Sequence, residues 1–229
     1  MTESTPTYFI PGTMCDQRLW QYLWPLLPQV KPVHLPIPDA PNLEAIVTEL
    51  ARQLPDGPNR VVGFSMGGYM AAKLACRHPN KVSALTVIAN SPCPLPEAEV
   101  QQRQSLLQSL GQYGYRGISQ IKVRQMLASN NHGNSALQQI IRDMDASLGE
   151  AVLIQQLSAT TNRLDLAPLL RQLQLPVHFV VGDQDPLVNL PWLQALVSEL
   201  PAGQLTLLPD TGHMVPLESP AALADLLSR

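Results

Sequence analysis

Charge is scarce in this chain of 229 residues: Asp, Glu, Lys and Arg make up 14% of it, and the formal net charge is −3. The 15 Lys and Arg are scattered and form no basic run, which argues against nucleic acid as a partner. Cysteine is scarce too. Cys15, Cys76 and Cys93 are odd in number and share no metal-ligand spacing, so they are expected as reduced thiols rather than a disulfide framework or a zinc site. No apolar run approaches the ~18 residues that a membrane span requires. The opening residues, MTESTPTYFIPG, have neither a basic n-region nor an apolar h-region. No signal peptide is therefore expected, and the cytoplasm is the expected location. There is no internal repeat, no P-loop and no paired-carboxylate arrangement, and the spaced glycines of GQYGYRG follow no strand of a βαβ unit. Neither a metal nor an organic cofactor is expected.

What is present is apolar residue, 45% of the chain, and proline, 22 residues. Proline sits mostly between apolar segments, where it punctuates elements instead of breaking them. Short apolar runs at residues 7–10, 32–37, 60–64, 84–89, 177–181 and 204–208 read as strands buried on both faces. Residues 42–54, 67–78, 191–200 and 219–229 carry apolar positions at helical spacing, the last with Ser219 as N-cap and Pro220 at its first position. This alternation predicts an α/β fold: a mostly parallel sheet of about six strands flanked by helices. From residue 92 to 162 the rhythm stops and glutamine-rich helical stretches take over. The expected organisation is a core of residues 1–91 and 163–229 with a helical cap at 92–162.

Within VVGFSMGGYMA, Ser65 stands in a G-x-S-x-G pattern that follows a strand and opens a helix. Gly63 and Gly67 remove side chains that would collide at so sharp a turn. The Met66 N–H then lies at a helix N-terminus, where it can stabilise an oxyanion. Serine needs a base to act as a nucleophile. His34 and His178 lie inside strands, His78 at a helix end and His132 in a polar loop; His213, in DTGHMVPLESP, follows the last strand directly. The acid should come from the loop after the preceding strand, where GDQDP offers both Asp183 and Asp185. The loop after the first strand, FIPGTMCD, offers Gly12 for close approach and the Thr13 or Met14 N–H as a second oxyanion donor.

Together IPGTMCDQRLW, GFSMGG, LPVHFVVGDQDPLV and GHMVPLESP resemble the α/β-hydrolase-fold superfamily, in particular its small carboxylesterases and pimeloyl-carrier-protein methyl esterases. The resemblance covers nearly the whole chain. It implies a serine hydrolase of a small to medium carboxylic ester or thioester, working through Ser65, His213 and an acyl-enzyme. The family's G-x-x-D pattern puts the acid at Asp185, and the oxyanion donors fall on Thr13 and Met66. The helical segment falls where the family places its cap. Two departures stand out: Pro11-Gly12 replaces the usual His-Gly, and the sheet starts at what the family counts as its third strand.

A pocket between the oxyanion loop and the cap has Met14, Trp20, Trp24 and Phe64 as candidate lining, with core packing as the alternative. Arg103, Arg116, Lys122 and Arg124 are candidate contacts for an acyl-carrier protein, or else a solvated helix face. A monomer or weak homodimer is expected. The same triad also serves C–C bond hydrolysis, acyl transfer and lyase chemistry, and a low-turnover ligand receptor is the alternative of another class.

Overall fold

The computed structural model describes residues 6–228. Six strands, β1 (Pro6–Ile10), β2 (Lys31–His34), β3 (Asn59–Phe64), β4 (Val82–Ile88), β5 (Val177–Gly182) and β6 (Gly203–Leu208), form one parallel sheet in the order β2-β1-β3-β4-β5-β6. Chain order reverses between β1 and β3, so the carboxyl ends of these two strands flank a crevice, the usual position of a site in an open α/β sheet. All six strands fall where the apolar runs predict them. The clearest difference is β2, which stops at His34. Leu35 still donates its N–H to Phe9 O at 2.9 Å, but Pro36 and Pro38 have no N–H with which to extend the ladder.

Side chains alternate across the sheet with period two. Tyr8, Ile10, Val61, Phe179 and Val181 belong to one buried cluster, Phe9, Val62, Phe64 and Val180 to the other. The first cluster is covered by α1 (Leu43–Gln53) and α2 (Met66–Arg77). The Asn42 side chain caps α1 by accepting the Ala45 N–H at 3.0 Å.

Between β4 and β5 the chain is helical, with α3 (Glu97–Tyr113), α4 (Gln120–Gln125) and α5 (Ser135–Thr160), followed by the short α6 (Ala167–Leu170). Gly149, at φ 73°, breaks α5 into two rods. After β5 come α7 (Leu190–Val197), then, beyond β6, α8 (Val215–Glu218) and α9 (Pro220–Leu227). The C-terminal helix therefore differs from expectation in one detail. Ser219 does precede Pro220, but its hydroxyl makes no cap bond and pairs instead with the Thr211 hydroxyl at 2.6 Å. Residue 229 of the expected helix, like residues 1–5, lies outside the described residues. No helix among the described residues is long and apolar enough to cross a membrane.

Candidate active site

Ser65 sits between β3 and α2 at φ 50° and ψ −120°, a backbone region that non-glycine residues rarely enter. The turn is held by its surroundings: Ser65 N–H donates to Ile88 O at 2.8 Å, and Ser65 O accepts the Gly68 N–H at 2.8 Å. A Cβ on Gly63 would lie 2.3 Å from Gly67 O, and one on Gly67 would lie 2.2 Å from Pro11 O. The strand β3, the turn at Ser65 and the loop after β1 therefore meet backbone to backbone, an approach only glycine permits.

His213 and Asp185 come to this serine from the loops after β6 and β5. His213 Nε2 lies 2.9 Å from Ser65 Oγ, and its Nδ1 lies 2.8 Å from Asp185 Oδ2. A carboxylate only accepts, so Nδ1 carries the proton and Nε2 accepts from the serine hydroxyl. The Asp185 side chain has no exposed surface, and its other oxygen accepts the Leu187 N–H at 2.9 Å across Pro186. Both carboxylate oxygens are thereby fixed. Asp183 is exposed and points elsewhere: its Oδ1 accepts the Thr211 N–H at 3.1 Å. The remaining histidines stay apart from the serine, with His178 Nε2 at 2.8 Å from Thr206 Oγ1 and His132 Nε2 at 3.1 Å from Leu127 O.

Two backbone N–H groups of residues that line the cavity with Ser65, those of Thr13 and Met66, are without an acceptor among the described residues. Met66 opens α2, where an N–H has no acceptor within the helix. In the loop after β1, Cys15 N–H is taken by Gly12 O at 3.2 Å and Met14 N–H by Gln156 Oε1 at 2.9 Å. Thr13 N–H has no acceptor among the described residues. Of the two amides that the sequence leaves open, Thr13 and Met14, the second is thus taken by a glutamine that no motif singled out. Gly12 matters here too, since a Cβ would stand 2.8 Å from the Phe64 ring.

Two lobes of cavity meet at Ser65 and His213. The larger, about 760 Å³, is mostly apolar, with Met14, Phe64, Leu106, Ile118, Met126 and Leu153 in its wall. The smaller, about 60 Å³, is polar, with Asn90, Arg103, Thr160 and Arg163. Of the residues expected to line a pocket, Met14 and Phe64 do so, whereas Trp20 and Trp24 do not. Both tryptophans pack edge-on against Phe9, at 5.1 and 5.9 Å between ring centroids, and Trp20 has no exposed surface. Aromatic content alone does not separate lining from core, and the 3-10 turns after Asp16 face these rings into the sheet. Arg103 is also no free face residue: it pairs with Glu99 at 2.7 Å. Arg116, Lys122 and Arg124 are exposed, and Lys122 reaches the wall of the larger lobe.

Cys15 shares that wall. Burial, together with the charge of Asp16, pushes its thiol up to about 12, so the thiolate is absent at neutral pH.

Glu218, within the GHMVPLESP stretch, was not anticipated. Its Oε1 accepts from Gly212 N at 3.1 Å and Met214 N at 3.2 Å, and its Oε2 from Ala128 N at 2.7 Å and Asn131 Nδ2 at 3.0 Å. The carboxylate thus ties the His213 loop to the helical segment. Burial raises its pKa in spite of these four donors. Glu218→Ala leaves several half-buried donors unmet. It is expected to cost about 3 kcal/mol of stability, read as a lower denaturation midpoint with unchanged m-value.

A parallel sheet, a nucleophile elbow after β3 and a histidine after β6 define an α/β-hydrolase-fold protein. The chain belongs to the alpha/beta hydrolase family, which it matches over residues 8–226, and it is an ester-hydrolysing enzyme of that family. It is 30% identical to a pimeloyl-[acyl-carrier protein] methyl ester esterase of Aromatoleum aromaticum, over 92% of this chain and 91% of that protein. To a 2-succinyl-6-hydroxy-2,4-cyclohexadiene-1-carboxylate synthase of Enterobacter sp. it is 28% identical, over 96% of this chain and 89% of the other. Among solved structures, a thermophilic esterase of Thermogutta terrifontis superposes with a TM-score of 0.83 at 19% identity, covering 97% of this chain and 88% of that one.

Proposed function

We propose that the protein is a serine esterase in which Ser65 attacks the ester carbonyl, His213 takes and returns the proton, and Asp185 orients the imidazole. The observation that carries this reading is the unbroken Asp185–His213–Ser65 hydrogen-bond chain at 2.8 and 2.9 Å. Attack transfers the serine proton to His213 Nε2 and forms a tetrahedral oxyanion between the Thr13 and Met66 amides. Collapse expels the alcohol, protonated by His213, and leaves the acyl-enzyme. Water, deprotonated by the same histidine, then releases the acid. Asp185 stays ionised throughout and stabilises the imidazolium.

The two lobes bound the substrate. A cavity of about 760 Å³ is of the size that takes a medium ligand, whereas the lobe of about 60 Å³ takes only a few heavy atoms. We therefore assign the bulky apolar half of the ester to the larger lobe and the small half to the other. An acyl chain esterified to methanol fits this division, and the relative from Aromatoleum is named for a methyl ester. The exposed cations Arg116, Lys122 and Arg124 near the larger lobe favour an acyl chain delivered on an acidic acyl-carrier protein. The residues of 92–162, which close over the site from α3, α4 and α5, act in this reading as its cap.

A fluorophosphonate probe tests the assignment. It is expected to place one adduct on Ser65, located by peptide mass spectrometry, and to abolish hydrolysis of methyl esters whose rates rise from acetate to octanoate. An adduct on another residue with Ser65 unmodified, or no turnover of any ester in the series, overturns it.

A further inference from the structure

Gln156 is buried at 3% exposure on the C-terminal half of α5, and its side-chain oxygen reaches across 142 positions of sequence to the Met14 N–H at 2.9 Å. Met14 is itself unusual, buried at φ 51°. With Cys15 N–H on Gly12 O, residues 12–15 form a four-residue turn whose third residue has positive φ, the type II geometry that favours glycine. A methionine keeps to that conformation only where its surroundings impose it. The alternative type I turn rotates the Thr13–Met14 peptide through about half a revolution, which would take the Met14 N–H away from Gln156 and reset the backbone at Thr13.

The same helix touches the other donor. One turn on, the Thr160 hydroxyl donates to Gln156 O at 2.7 Å and lies 3.6 Å from Met66 Sδ. The Thr13 hydroxyl approaches that sulfur from the far side at 3.4 Å. The end of α5 thus contacts both the loop after β1, at Met14, and the first residue of α2, Met66.

We propose that Gln156 is a positioning residue: by accepting the Met14 N–H it locks the Gly12–Cys15 turn and presents the Thr13 N–H to the oxyanion. The inference rests on Ser65 being the nucleophile and adds a role for the helical segment beyond covering the site. Thr13 N–H, not Gln156, touches the reacting atoms. An oxyanion donor held out of place is worth nothing to the ground state, so its loss appears in kcat and in the affinity for tetrahedral adducts.

The experiment compares Gln156→Met, which keeps the length and loses the acceptor, with Gln156→Glu, which keeps an oxygen, each checked for a wild-type circular dichroism spectrum. Gln156→Met is expected to lower kcat by about 10- to 100-fold, with KM within about three-fold of wild type. The inhibition constant of a trifluoromethyl ketone, which forms a hemiketal on Ser65, should rise by the factor that kcat/KM falls. Gln156→Glu should recover most of both. Wild-type kcat in Gln156→Met overturns the proposal, as does a lower kcat with unchanged ketone affinity, or a glutamate variant as impaired as the methionine. Gln156→Ala, which leaves room for water, takes the same readings if the methionine variant does not fold. Ser65→Ala runs beside them: if it keeps full activity the nucleophile reading itself fails, whereas its inactivity beside an unimpaired Gln156→Met removes the Gln156 role alone.

Discussion

Ser65→Ala is expected to lower kcat for a methyl ester by on the order of 10⁴- to 10⁶-fold, and His213→Ala by a similar factor, with the double variant scarcely worse than either. The non-additivity is the informative part. In the proposed mechanism serine and imidazole act in one step, through a hydrogen bond of 2.9 Å, so removing either would leave the other without a task. Asp185→Asn should cost about 10⁴-fold, because the amide keeps its oxygen on the Leu187 N–H and turns its NH2 towards Nδ1, which favours the tautomer whose Nε2 already carries the proton. Asp183→Asn should leave the rate within about two-fold, since a surface substitution away from the reacting groups changes little and its carboxylate serves the Thr211 N–H. Steady-state kinetics on the four single variants and the double variant, with melting curves to exclude unfolding, reads all of this. Equal losses in Asp183→Asn and Asp185→Asn would contradict the geometry of the acid loop, and additive losses in the double variant would contradict a shared step.

The sheet and the residues around Ser65 were legible in the sequence for one physical reason. They depend on local chain geometry that few residue types allow. A strand buried on both faces must be apolar throughout, so runs such as VHFVV stand out. A serine at φ 50° between two contacting backbones must have glycine on both sides, so GFSMG stands out as well. Histidine and aspartate are then located by position, each in the first loop after a strand. Residues whose role arises from an approach between distant segments leave no such trace. Gln156 is one glutamine among several on a polar-looking helix, and only the fold brings it to Met14. Glu218 lay within a quoted motif, but the four donors that converge on it come from two separate stretches of chain. Trp20 and Trp24 illustrate the reverse error: both are close in sequence to the oxyanion loop, yet their rings pack away from the cavity onto Phe9.

The sharpest structural test of the elbow is Gly67→Ala set against Gly111→Ala, the same added methyl at two helical glycines. At Gly67 the new Cβ would lie 2.2 Å from Pro11 O and 2.5 Å from Ile10 O, both backbone atoms that cannot rotate away. Relief requires α2 to withdraw from β1, which opens the seam on which the oxyanion loop sits. The expected cost is about 4 kcal/mol, above the usual overpacking penalty because no side chain can give way. For a chain of this length that corresponds to a melting temperature lower by roughly 8–16 °C. Any folded Gly67→Ala protein should also lose activity out of proportion to its stability, since Thr13 and Met66 lie on opposite sides of the seam that opens. At Gly111, in the exposed face of α3, a Cβ meets nothing within 4 Å and φ is not positive. There alanine removes only the backbone entropy of a helical glycine, and a gain of about 0.5–1 kcal/mol with unchanged kcat is expected. A Gly67→Ala protein as stable and as active as Gly111→Ala would mean that the elbow is looser than these contacts require.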